Sequence, residues 1–100
     1  MCWGTMAVVL EVSEDGGVAT VDYGDGVARR ALVGITRERL ARSDIVMVHA
    51  GVVISKMSEE GLLEQLEFFR DVLGEEGREL VATYEAVLAL SRSLRGGGSG

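Results

Sequence analysis

The sequence predicts one domain in which a small antiparallel β-barrel is followed by one or two α-helices. Three observations predict this fold class. Gly-containing turns divide the first half of the chain into short segments rich in β-branched residues. Near Ser58 the hydrophobic period changes from that of a strand to that of a helix. The chain has 100 residues, 47% of them hydrophobic, which suits one packed domain and excludes a fully disordered protein.

Five short segments predict the strands of the barrel. They are Met6–Val12, Val18–Tyr23, Val27–Val33, Asp44–His49 and Val52–Met57. The residues between them favour tight turns, and Asp-Gly in particular favours positive φ angles. The polar segment 34–43 has room for one short helical turn. A barrel is the expected arrangement, because closing the sheet removes its exposed edges.

Two helices are predicted after the strands. Ser58 is a suitable N-cap, and the acidic residues that follow it favour the positive end of a helix dipole. One face of the first helix is an apolar stripe of Leu62, Leu66, Phe69 and Leu73. After the interruption at Gly74 and Gly77, a second helix is expected from about Glu79 to Leu94, with a stripe of Leu80, Tyr84, Val87 and Leu88. We expect residues 1–57 to form the barrel with an amino-terminal cysteine arm, residues 58–95 a helical segment of the same domain, and residues 96–100 a flexible tail.

The net charge is −6 and is concentrated in the second half of the chain. Residues 58–90 carry nine acidic and two basic side chains, which predicts an acidic helical surface. An acidic protein repels the phosphate groups of a nucleic acid, so we expect no nucleic-acid partner. No segment reaches the ~20 apolar residues of a membrane span, and the start of the chain lacks the basic region of a secretory signal. We therefore expect a cytoplasmic protein without a membrane partner.

Cys2 is the one cysteine, so neither an internal disulfide nor a multi-cysteine metal cage can form. A lone cysteine is commonly a small buried hydrophobic residue. Removal of Met1, which is usual before a small second residue, would instead make Cys2 the amino-terminal residue. The adjacent α-ammonium group would then lower the pKa of the thiol, and a thiolate is a soft metal ligand or a nucleophile. The residue pattern leaves both roles open.

His49 and Trp3 are the other candidate site residues. His49 alternates with Ile45 and Met47 on a predicted strand, a setting more typical of a core histidine than of a ligand. Trp3 lies so close to the amino terminus that burial within the domain is difficult, which makes a partner interface a fair alternative. Composition and periodicity by themselves indicate a β-barrel with helices and leave its role open.

The order of several segments resembles one known family. Met1-Cys2-Trp3-Gly4 is followed by the turn Glu14-Asp15-Gly16, by Val21-Asp22-Tyr23-Gly24, by the strand and turn 44–51 (DIVMVHAG) and by Ile54-Ser55-Lys56 before an acidic helix. This order, over residues 1 to about 73, closely resembles the HypC/HupF family of [NiFe]-hydrogenase maturation chaperones. The amino-terminal Met-Cys pair together with the histidine-containing strand is the most specific part. The resemblance implies a small OB-like barrel followed by a helix.

The resemblance also implies a carrier rather than an enzyme. Family members pair with HypD, a larger iron–sulfur protein, and hold an iron atom while its cyanide and carbonyl ligands are attached. They also bind the hydrogenase large-subunit precursor and help to deliver the iron centre. The essential thiol of the family corresponds to Cys2 and its strand histidine to His49. A thiolate on an exposed arm suits this task, because it can bind low-spin iron and release it by ligand exchange.

The partners are expected to bind the arm and the first helix. The arm would contribute Cys2 and Trp3, and the helix would contribute Leu62, Leu66 and Phe69, unless the stripe of the second helix covers them. The chain departs from the family pattern at Trp3 and Thr5, where aliphatic residues are usual, at Met6, where proline is usual, and in its second helix. Two alternatives stay open. One is a β-barrel interaction module without metal transfer, and the other is a cysteine-dependent enzyme, although no second polar group beside Cys2 is evident.

Overall fold

The computed structural model of the chain describes residues 4–34 and 39–97. Within these ranges the chain forms five strands and two α-helices. The strands are β1 (Thr5–Val12), β2 (Val18–Asp22), β3 (Ala28–Val33), β4 (Ile45–His49) and β5 (Val52–Met57). The helices are α1 (Glu59–Leu73) and α2 (Arg78–Gly97), which are joined by a 3-10 turn at Gly74–Gly77.

The five strands close into a barrel in the order β1-β2-β3-β5-β4, which confirms the predicted fold class. Four of the strand pairs are antiparallel. The fifth pair, β3 with β5, is parallel and short, with Leu32 opposite Val52 and Val33 opposite Val53. The Leu32 N–H donates to the Gly51 carbonyl, and the Gly34 N–H donates to the Val53 carbonyl, both at 2.9 Å. The barrel is therefore not wholly antiparallel, and it closes through this two-residue seam.

The hairpin between β4 and β5 has an unusual residue at its tip. Ala50 and Gly51 both have positive φ angles, 52° and 78°. Two successive positive φ angles are typical of the type I′ turn, whose twist matches that of the flanking strands. Ala50 is strained there because its Cβ is crowded in the left-handed region. The sequence predicted the bend at this position.

Apolar side chains form two clusters on opposite sides of the β1–β4 sheet. The barrel interior cluster consists of Ala7, Val9, Ala19, Val21, Ala31, Val46, Val48 and Val53. The outer cluster lies between the barrel and the helices and consists of Met6, Val8, Ile45, Leu62, Leu66, Tyr84, Val87 and Leu88. Four successive β1 residues, from Met6 to Val9, are buried, because β1 contributes alternately to both clusters.

The helices cover the outer face of β1 and β4. Ser58 is the N-cap of α1, as predicted, and its Oγ accepts a hydrogen bond from the Gly61 N–H at 3.0 Å. Helix α2 contacts β1, β4 and α1, so it lies between α1 and the barrel. Ser91 fixes it further, because its Oγ donates to the carbonyl of Ser43 at 2.7 Å.

Two details of the helical segment differ from the sequence prediction. One residue of each predicted stripe is exposed: Leu73 of α1 is 38% exposed and Leu80 of α2 is 37% exposed, whereas Tyr84, Val87 and Leu88 are buried. The α2 helix extends through Gly96 and Gly97, which were expected to start the flexible tail. The rest of that predicted tail, residues 98–100, lies outside the described residues, as do residues 35–38 of the segment in which a helical turn was expected.

Candidate functional site

His49 lies at the end of β4, on the face of the barrel that carries the helices. Val46 and Val48 point into the barrel interior cluster, whereas Ile45 is in the outer cluster and Met47 packs against it. Strand alternation places His49 on the same outer face as Ile45 and Met47. Its side chain is half-buried. His49 is therefore neither fully buried nor fully exposed, and its role as a core residue or as a ligand stays a prediction.

The root of the amino-terminal arm lies beside His49. Thr5 at the start of β1 pairs with Val48, so the next positions along the two strands are Gly4 and His49. Cys2 and Trp3 lie outside the described residues, and their site roles stay predictions.

The described residues hold no group of three or more His, Cys, Asp or Glu side chains that could enclose a metal ion. Together with Cys2, His49 would supply two donors, one a soft thiolate and the other an imidazole. Closed structural metal sites usually have four protein ligands. Two donors would leave further ligand positions to be filled from outside this chain.

The α1 residues expected to bind partners lie largely inside the molecule. Leu62 is fully buried and Leu66 is 2% exposed, both in the outer cluster. Phe69 packs against the same cluster and meets Tyr84 edge-to-face, with ring centroids 5.2 Å apart. We expected this stripe either to bind partners or to be covered by the second helix, and in the structure α2 covers it. In this conformation Leu62 and Leu66 present no surface to a partner, and their partner role stays a prediction that would require α2 to move.

A different part of α1 presents apolar surface. Phe68 is 59% exposed and Val72 is 62% exposed, one helical turn apart. Met57, Gly61 and Gln65 extend this area into a shallow groove beside Phe68. We call these five residues the α1 patch. In the sequence, the helical spacing of Phe68 and Val72 off the centre of the buried stripe already indicates a second apolar side of this helix.

Carboxylates border the α1 patch on one side. They are Glu60, Glu64, Glu67 and Asp71, which are exposed and follow one another at helical spacing. Among the residues that the structure describes, none of the four has an ion-pair partner. The α1 patch is therefore an exposed apolar area that is bordered by negatively charged side chains.

Ion pairs hold the outer sides of α1 and α2 together. Arg92 and Arg95 of α2 both contact the carboxylate of Glu59, the former at 2.6 Å. Hydrogen bonds from the two guanidinium groups lower the pKa of Glu59 below its ordinary value. Arg70 and Glu85 form a further pair at 2.8 Å. Between the helices, burial raises the pKa of the Tyr84 phenol.

The strand β4, which ends at His49, makes a contact that sequence analysis missed. The side chain of Met47 lies across the backbone of Gly4, where a Cβ atom would be 2.2 Å from Met47 Cγ and 2.6 Å from Sδ. No local sequence pattern indicates this contact, because it depends on the pairing of β1 with β4. Another cleft lies between the β1–β2 turn and the residues after β3, lined by Ser13, Asp15 and Arg39 among others. None of the candidate site residues that the structure describes lines that cleft.

Comparisons with known proteins identify the family of this chain. Residues 1–69 match the HupF/HypC family. The chain is also 34% identical, over 73 residues, to the "Hydrogenase maturation factor HypC" of Helicobacter hepaticus (strain ATCC 51449 / 3B1). That alignment covers 73% of this chain and 83% of the relative. Neither described helix has the length and apolar character to cross a membrane. The chain belongs to the HupF/HypC family, and its role therefore lies in hydrogenase maturation.

Proposed function

We propose that this protein carries an iron centre with cyanide and carbonyl ligands, together with a HypD-like partner, and delivers it to the large-subunit precursor of a [NiFe]-hydrogenase. The iron centre is its cargo, held by Cys2 and His49 while the partner supplies further contacts. The protein accordingly acts as a chaperone and not as an enzyme. Its expected place of action is the cytoplasm.

One observation supports the iron-binding part of this proposal most directly. The strand pairing brings the first residues after the cysteine arm next to the strand that ends at His49. A short arm attached at Gly4 can bring a thiolate close to an imidazole without any rearrangement of the barrel.

The proposed docking site for the HypD-like partner is the α1 patch together with the arm, including Trp3. Phe68 and Val72 are the largest exposed apolar side chains of the patch, and apolar anchors of this kind dominate interface energies. The neighbouring carboxylates favour a partner surface that carries Lys or Arg beside an apolar pocket. This assignment replaces Leu62 and Leu66, which are covered by α2, and it keeps Phe69 as a residue whose ring contacts that of Phe68. Their rings are 5.9 Å apart.

The iron-binding part is tested by Cys2→Ser and His49→Ala in the complex with the HypD-like partner. The measurements are iron content and the infrared bands of bound cyanide and carbonyl. We expect Cys2→Ser to abolish both and to stop hydrogenase maturation, while the stability of the protein changes by no more than about 0.5 kcal/mol. His49→Ala should weaken iron retention with a small loss of stability.

Two results would contradict this assignment. A fully mature hydrogenase in cells that carry Cys2→Ser would exclude the thiol as the carrier group. A loss of about 1–3 kcal/mol for His49→Ala, with iron retained, would make His49 a structural residue. Partner binding without any iron in the wild-type complex would favour the alternative, a β-barrel interaction module without metal transfer.

The docking part is tested separately by calorimetric titration of the purified partner. Phe68→Ala and Val72→Ala should each weaken binding about tenfold, as expected for interface anchors worth more than 1 kcal/mol. Leu63→Ala is the matched control, because Leu63 is 41% exposed on a different flank of α1. Equal effects of all three substitutions on binding would reject the α1 patch as the docking site. If partner binding by Glu64→Gln depends less on salt than binding by the wild type, the carboxylates that border the patch take part in docking.

A further inference from the structure

We infer that the free edge of β3 binds an extended acidic segment of a partner protein, which adds to the barrel as a further strand. This surface lies on the barrel and is separate from the α1 patch. The inference rests on the strand pairing and on two exposed side chains, and it does not depend on the proposed transfer of iron.

Strand β3 has a neighbouring strand on both sides only near its end. On one side, β2 pairs with it from Ala28 to Leu32 without a shift in register. On the other side, β5 begins at Val52, which lies opposite Leu32. Among the described strands, none lies beside residues 28–31 on that second side. These residues therefore form a strand edge next to the seam that closes the barrel.

The backbone groups of this edge point outwards. The Leu32 N–H donates to the Gly51 carbonyl on the β5 side. Because backbone groups alternate in direction along a strand, the N–H and C=O groups of Ala28 and Arg30 face the same side as those of Leu32. Both residues are exposed, and no hydrogen bond from another described residue reaches their backbone there. Unpaired backbone groups of this kind are what an added strand binds.

The edge of β5 beyond the seam is less suited to strand addition. Its pairing with β4 shifts in register between Met47 and Val48, so β5 is irregular at Ile54. A bulge interrupts the regular spacing of backbone groups and protects an edge from pairing. Because the pairing of β3 with β2 has no such shift, β3 offers the regular edge.

Two side chains on one face of β3 indicate the chemistry of the added strand. Arg30 is exposed, lies opposite Thr20 of β2 and forms no ion pair with another described residue. Leu32, on the same face, is 60% exposed. A strand that places a carboxylate beside Arg30 and an apolar side chain beside Leu32 complements both. The partner segment is therefore extended, with an acidic residue and then an apolar one on the same face.

The test uses the full chain and a fluorescent synthetic peptide that follows this pattern. Threonine occupies every second position of the peptide, and glutamate and valine alternate at the positions between. Fluorescence anisotropy measures binding, and amide chemical shifts locate the site. Arg30→Glu should weaken binding at least about tenfold, as should lysine in place of the peptide's glutamates. Arg42→Glu is the matched control, because Arg42 is also exposed and has no ion pair within the described ranges.

A second set of measurements distinguishes strand addition from attraction between charges. Only alternate N–H groups of an added strand face the strand that it joins. N-methylation of one alternate set in the peptide should therefore abolish binding, whereas methylation of the other set should change it by less than about twofold. Ala28→Pro should also weaken binding, because it removes an edge N–H and keeps Arg30. Proline is tolerated at the first residue of a strand, so the barrel should stay folded.

Three results would overturn the inference. The first is equal binding of the two N-methylated peptides, and the second is an equal effect of Arg30→Glu and Arg42→Glu. The third is a dimer of this chain that is joined through β3 and excludes the peptide, because a second copy would then occupy the edge. If Ala28→Pro does not fold, the N-methylated peptides decide.

Discussion

At the scale of single residues, Met6 explains how β1 is anchored at a position where the family resemblance implies a proline. Proline would fix the φ angle and so stiffen the start of the strand. Met6 instead inserts its side chain into the outer cluster, where it is 1% exposed. It also pairs with Met47 of β4. Packing and strand pairing therefore hold the beginning of β1 in place of a backbone constraint.

The proposed carrier mechanism also predicts the amino terminus of the mature protein. A small second residue permits removal of Met1, and the mechanism needs the thiol and the α-amino group on one residue. Intact-mass measurement of protein purified from its own host should therefore give the mass of a chain that begins at Cys2. Active protein that retains Met1 would contradict the requirement for a free terminal cysteine.

Ala50 gives a prediction about stability. Its φ angle of 52° is unfavourable for alanine, whereas asparagine tolerates the left-handed region and forms type I′ turns before glycine. Ala50→Asn should therefore raise the free energy of unfolding by about 0.5–1 kcal/mol in a denaturant titration.

The same substitution at Ala82 is the control. Ala82 is exposed within α2, where asparagine is a poorer helix former than alanine, so Ala82→Asn should lower the stability. A loss of stability at both positions would show that the turn at Ala50 is not strained in solution.

At the scale of elements, α2 joins the barrel to α1. Its inner side packs on β1 and β4, and its outer side is tied to the start of α1 through Glu59. The pKa of Glu59 is lowered by Arg92 and Arg95, so the folded state favours the charged carboxylate. This contribution to stability is present above the ordinary pKa of 4.5 and is lost as the pH falls through the lower pKa of the folded state.

Glu59→Gln should accordingly lower the thermal midpoint near neutral pH and should have a smaller effect as the pH falls below about 4.5. The measurement is a series of thermal unfolding curves for the variant and the wild type from neutral to acidic pH. Glu76→Gln is a suitable control, because Glu76 is exposed and has no ion pair within the described ranges. A difference between Glu59→Gln and the wild type that does not change with pH would contradict the assigned role of the ion pairs.

At the scale of the whole molecule, the outer cluster makes the helices part of the core and not an appendage to the barrel. Tyr84, Val87 and Leu88 of α2 are buried against residues of β1, β4 and α1. Burial of each such side chain contributes roughly 1.5–3 kcal/mol. Their combined contribution is comparable to the whole stability of a typical domain.

Truncation after Gly74 should therefore destabilise the protein and promote self-association, because it uncovers Met6, Val8 and Leu66 among others. Light scattering coupled to size exclusion would detect the oligomers, and circular dichroism would report the loss of structure. A truncation after Arg95 is the control, since it removes no member of the outer cluster. A monomer with the wild-type thermal midpoint after the longer truncation would show that α2 is dispensable for the core.

Local sequence patterns made the strands and helices predictable. Contacts between distant segments could not be predicted, because they leave no local pattern in the sequence. The alternation in each strand and the stripe of Leu62 and Leu66 located the strands and α1 to within a residue or two. The parallel seam between β3 and β5 joins distant segments and has no local signature. The exposure of Leu80 depends likewise on how α2 lies against the barrel. In the candidate site, His49 came from the family resemblance, while the Gly4–Met47 contact required the register of β1 against β4.

The outer cluster also determines when the protein can complete its fold during synthesis. Met6 belongs to the first strand and Leu88 to the second helix, so most of the chain must be translated between them. At the usual rate of roughly 5–20 residues per second, that interval is on the order of ten seconds. Throughout it, β1 on a nascent chain has no helix to cover its outer face. The outer face of β1 therefore stays exposed on the nascent chain, and the domain can close only after α2 has left the ribosome.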